Sequence, residues 1–152
     1  MIADKRNDLQ GVKKLGSAFT KLKDGVLEQE CVKEFPNLEI ETLVTTSDIT
    51  WKLFKMYQKI GEEAIPNQMS ESFKMLMGTM DEEASTMDEF LRYSENALKT
   101  ARTLAQKCVD QDYTPENELK VGEIYLKLGQ FYRMVFVEQI DEVGFINHFE
   151  IF

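Results

Sequence analysis

The sequence is short of chemistry. In 152 residues it holds one histidine, one tryptophan, two cysteines and three prolines. A lone His148 excludes a di-iron helical bundle, which needs two Glu-x-x-His pairs, and with Cys31 and Cys108 it makes no zinc-ligand spacing. The two cysteines are far apart in helix-like stretches, so they build no disulfide framework and fit a reducing compartment; both read as small buried hydrophobes. Apolar runs fall well short of the ~18 residues that span a bilayer. The opening MIADKRNDLQ lacks the charged-then-apolar order of a signal peptide. No P-loop, no Gly-x-Gly-x-x-Gly and no Gly-x-Ser-x-Gly is present. The expectation is a non-enzymatic, cytoplasmic chain with no cofactor, no metal and no small-molecule substrate, whose many carboxylates are solvated helix faces.

What the chain does have is charge of uneven sign. The net charge is −9, which argues against nucleic acid as a partner. Residues 1–25 nevertheless carry Lys5, Arg6, Lys13, Lys14, Lys21 and Lys23 against Asp4, Asp8 and Asp24, a local +3 beside −12 for the remainder. A basic head on an acidic body points to an anionic surface as a candidate partner of the head.

The prolines divide the rest into helical blocks. Pro36, Pro66 and Pro115 each stand where a helix begins, the one region where a missing N–H costs little. Thr114 is the expected N-cap of the last helix, and Ser85 with Asp88 the expected capping pair of the one before. Block one, about 5–30, aligns Leu9, Val12, Leu15, Phe19, Leu22 and Val26 on one face at spacings of three and four, flanked by Lys13, Lys14, Lys21 and Lys23. Gly11, Gly16 and Gly25 each weaken that helix by ~1 kcal/mol relative to Ala. It is therefore expected to form only against something, and 5–26 to be poorly ordered in water but helical on an anionic membrane. Block two, about 37–63, carries Ile40, Val44, Trp51, Phe54 and Ile60. Its β-branched run makes a strand conceivable, but the spacing of three and four predicts helix. Then come a short Met-rich helix with Met69, Phe73, Leu76, Met77 and Met80, a helix to about 110 with Phe90, Leu98, Ala101 and Cys108 in its stripe, and a final block, about 115–147, apolar around much of its circumference. That last block is expected to be the most buried element. The Met-rich segment has three readings: core packing, a pliable surface for a partner helix, or a wedge entering the headgroup region of a membrane.

In this order the blocks resemble the N-terminal part of an N-BAR domain of the endophilin type. The likeness rests on the basic amphipathic start with Lys13-Lys14 and Phe19, on Val32-Lys33-Glu34-Phe35 followed by Glu39-Ile40-Glu41 and Thr45 to Thr50, and on the ending Glu62-Glu63-Ala64-Ile65-Pro66-Asn67. It extends to Met75-Leu76-Met77-Gly78-Thr79-Met80, which falls where endophilins carry an inserted amphipathic helix, and to Glu118–Phe149 with Gly122-Glu123 and Phe145-Ile146, similar to the start of the family's second long helix. It covers most of this chain and the first part of a BAR domain. Family inserts are basic, whereas this one is followed by Asp81-Glu82-Glu83.

The resemblance implies an all-α fold, an elongated bundle of antiparallel coiled-coil type with an amphipathic N-terminal helix. It implies a dimeric, peripheral membrane scaffold that binds or senses curved anionic membranes in endocytic or vesicle traffic. The candidate membrane-binding residues are Leu9, Val12, Lys13, Lys14, Leu15, Phe19, Lys21, Leu22 and Lys23 in a segment 1–30, with Phe73, Leu76, Met77 and Met80 in an acidic bundle 31–152. The other reading of the same residues is an acidic helical-bundle protein-interaction module without membrane activity. In either case the apolar surface of about 90–147 is more than a small bundle covers, so self-association is expected.

Overall fold

A computed structural model describes residues 2–79 and 81–143, with side chains over 6–79 and 81–138. Asp4, Lys5, Met80, Phe145, Ile146, His148 and Phe149, all used in the sequence analysis, lie outside the described side chains. The fold is all-α, and no strand occurs among the described residues. The helices are α1 (Ile2–Leu22), α2 (Pro36–Ile60), α3 (Asn67–Met77), α4 (Thr86–Gln111) and α5 (Pro115–Val143). A π-turn (Lys23–Leu27) and short 3₁₀ turns (Glu30–Glu34, Glu62–Ala64) link them.

Local chemistry sets the boundaries. Pro36 occupies the first turn of α2. Ser85 Oγ accepts from Asp88 N at 3.1 Å, and Thr114 Oγ1 accepts from Asn117 N at 3.1 Å, so both expected caps are made. Helices α2 and α3 stop at Gly61 and Gly78, whose positive φ values of 92° and 73° suit a residue without Cβ. The β-branched run of α2 is helical because its hydroxyls find partners one turn back. Thr42 donates to Leu38 O, Thr45 to Glu41 O and Thr50 to Thr46 O, at 2.7–2.9 Å.

Helices α2 and α4 form the spine. They cross where side chains are small: Ser47 Oγ donates to Ser94 O and Ser94 Oγ donates to Ser47 O, both at 2.9 Å. The alanines Ala97, Ala101 and Ala105 continue that close approach toward Ile40, Leu43 and Ile124. On one side of the crossing α1 and α3 close a core containing Val12, Phe19, Leu53, Phe54, Tyr57, Phe73 and Phe90. Its centre is three aromatic rings, Tyr57, Phe73 and Phe90, with centroids 5.1–6.2 Å apart, all edge to face.

Three expectations are corrected here. The cysteines are not both buried: Cys31 is exposed and Cys108 only partly covered. The N-terminal helix does not wait for a membrane. It packs on α2, Val12 and Phe19 are fully buried, and Gly11 and Gly16 are the points of closest approach, where an added Cβ would stand 2.9 Å from Met56 and from the Phe73 ring. The cost of the glycines is offset by that contact. Thirdly, α5 is not the most buried helix; α2 is, with buried positions along its whole length. Helix α5 leans on α4 and α2 through one side only, Val121, Ile124, Leu128, Phe131 and Val135. No described element covers its other side.

Burial also sets a pH limit. The Tyr57 hydroxyl, in hydrogen-bond contact with Ser70 Oγ at 2.8 Å, is desolvated and its pKa pushed up to about 12. A raised folded-state pKa means a contribution fully present below the unfolded value near 10 and lost as pH rises through 12. Urea midpoints are therefore expected to hold up to about pH 10 and then fall as pH rises toward 12. Tyr57→Phe should flatten that part of the alkaline decline.

Candidate functional site

The sequence marked two stretches as candidate binding surfaces, and the fold brings them together. An open groove of about 930 Å³ runs between α1 with its π-turn and α3. One wall presents Lys13, Ser17, Thr20 and Lys23; the other presents Met69, Met75, Leu76 and Met77, and Gly16 and Phe73 meet at the floor. The floor is tight because the Phe73 ring is held by Tyr57 and Phe90 and cannot retreat. Gly16→Val is expected to destabilise the fold by about 1–3 kcal/mol through overpacking, whereas Gly129→Ala, with open space around it, should stabilise by about 0.5–1 kcal/mol. Paired urea titrations check both signs.

The candidate residues separate by role. Val12, Phe19 and Phe73 are core. Leu9, Leu15 and Leu22 are partly buried against it, as are Leu76 and Met77. Lys13, Lys14 and Lys21 are exposed. Lys23 is half-buried and ion-paired with Glu28, and that hydrogen bond holds the Glu28 carboxyl below the usual range. Met80 lies outside the described residues.

The outward face of α1 is polar and mainly basic. Arg6, Gln10, Lys13, Ser17 and Lys21 recur at three and four residues, all exposed, with Lys14 beside them. Asp8 is drawn away by Lys59 at 3.2 Å, while Asp24 is exposed at the far end. Across the groove Met75 is 81% exposed, the most exposed large apolar side chain among the described residues. The sequence reading missed it, because Met75 lies off the α3 stripe of Met69, Phe73 and Leu76; its isolation from that stripe was the available signal. Beyond α3, Asp81, Glu82 and Glu83 are exposed, so the basic surface ends there.

Among the described residues no group of carboxylates, cysteines and histidine is placed to hold a metal ion. Comparison with known proteins finds no family model, no curated protein and no solved structure that matches the chain.

Proposed function

We propose that the protein is a BAR-like, peripheral scaffold that applies the basic face of α1, with the exposed Met75 edge of α3, to anionic membrane surfaces in vesicle or endocytic traffic. One observation carries this: Arg6, Lys13, Lys14 and Lys21 stand exposed on one helix, beside an exposed methionine, on a chain whose net charge is −9. Each Lys or Arg near an anionic leaflet contributes about 1 kcal/mol. No described helix is long and apolar enough to cross a membrane, so contact is from one side. The BAR-like part of the proposal is supported by the sequence resemblance alone.

Docking of a face replaces insertion of a free helix in this reading, because the apolar side of α1 already belongs to the core. The test is co-sedimentation with vesicles of neutral phosphatidylcholine and with vesicles containing phosphatidylserine. Binding only to the anionic vesicles, lost at high salt, is expected. A chain that ignores anionic vesicles at low salt overturns the proposal. The second reading, a protein-interaction module, is favoured by the groove itself: its methionine wall on α3 adapts to varied apolar partners.

A further inference from the structure

The outward side of α5 presents a seam that the bundle does not use. Leu119 and Leu126 are more than 60% exposed and Val137 is 47% exposed. With Glu123, Gln130 and Arg133, also exposed, they fall at alternating spacings of four and three, the repeat of a two-helix seam. The opposite side of the same helix, through Ile124, Leu128 and Phe131, is buried in the bundle. Helix α5 is thus two-sided. Gly122 and Gly129 flank the outer seam and have nothing within 4 Å of an added Cβ, so another backbone can come close.

We infer that a second copy of this chain docks on this seam, antiparallel, about a two-fold axis level with Leu128. The occupant and its direction follow from charge. In a parallel pair each seam residue meets its own copy, placing Glu123 on Glu123 and Arg133 on Arg133. In the antiparallel pair, residues equidistant from Leu128 share a layer. Leu119 meets Val137, Glu123 meets Arg133, and Leu126 meets Gln130, with each layer formed twice by symmetry. Both charges then find opposite partners, and among the described residues neither has an ion-pair partner within its own chain. The seam from Leu119 to Val137 is about 27 Å long at 1.5 Å per residue, which places this dimer at the small, weak end of specific interfaces. The inference is independent of the membrane proposal.

Sedimentation equilibrium on the full chain, from micromolar to millimolar concentration, tests it without lipid. A reversible monomer–dimer equilibrium is expected. Arg133→Glu and Glu123→Arg should each weaken it about tenfold or more, and the double exchange should restore it. Both positions are on the surface, so an unchanged melting curve verifies the fold of all three variants. With Cys31 and Cys108 replaced by serine, the pair Leu126→Cys and Gln130→Cys together should give a disulfide-linked dimer, and Leu126→Cys alone should not. A monomer throughout the range, association indifferent to the charge exchange, or ready cross-linking by Leu126→Cys alone each overturns the inference.

Discussion

Phe19→Glu is expected to unfold the bundle rather than to affect one surface selectively. Phe19 is fully buried, edge to face on Tyr93 with ring centroids 5.0 Å apart. Removing a buried phenyl ring costs about 3–5 kcal/mol, and a carboxylate forced into the same space adds a desolvation penalty or is pushed out with the helix. The sum matches much of the ~5–15 kcal/mol that holds a domain together. Thermal melting followed by circular dichroism should show a fall in midpoint of at least about 10–20 °C, or no cooperative transition. Phe19→Leu, which keeps most of the volume, should cost far less. If Phe19→Glu melts like the wild type, α1 does not belong to the core and the N-terminal helix is free to insert. The variant therefore separates the two ways in which a basic amphipathic helix can meet a membrane.

Helix positions were legible in the sequence because each depends on neighbours along the chain. Pro36, the Ser85–Asp88 pair and Thr114 act within one turn, and they stand where the sequence reading put them. The site was legible by composition only. Lys13, Lys14 and Lys21 are exposed as a basic face should be, but the same pattern placed Val12 and Phe19 on a surface for lipid. A helical period says that a stripe will be covered and leaves open what covers it. For α1 the cover is α2 and α3, and the choice is made by shape: Gly16 accepts the Phe73 ring, a match between residues far apart in sequence. The error for α5 runs the other way. Its apolar residues, spread around much of the circumference, read as one buried surface, yet a helix at the end of a layer has neighbours on one side only. Leu119 and Leu126 were not singled out in the sequence, and their exposure follows from the order in which the helices stack.

Lys13→Glu with Lys14→Glu is expected to lower the partitioning of the protein onto phosphatidylserine vesicles by about three orders of magnitude at low salt. Each basic side chain near such a surface contributes about 1 kcal/mol. Reversing its sign removes that attraction and adds a repulsion of similar size, so two reversals amount to about 4 kcal/mol, at about 1.4 kcal/mol per factor of ten. Stability should change by less than about 0.5 kcal/mol, because both side chains are exposed and neither forms an ion pair among the described residues. Salt supplies the control. Raising ionic strength from ~0.01 to ~0.15 M shortens the screening length from ~30 to ~8 Å, and the wild type should lose most of its advantage over the variant across that range. Met75→Ser, which removes the exposed methionine and no charge, should weaken binding by a smaller factor that salt leaves unchanged. Equal binding of wild type and the double variant would show that α1 does not face the lipid. If both then hold a protein partner and neither holds vesicles, the groove between α1 and α3 is an interaction surface for protein.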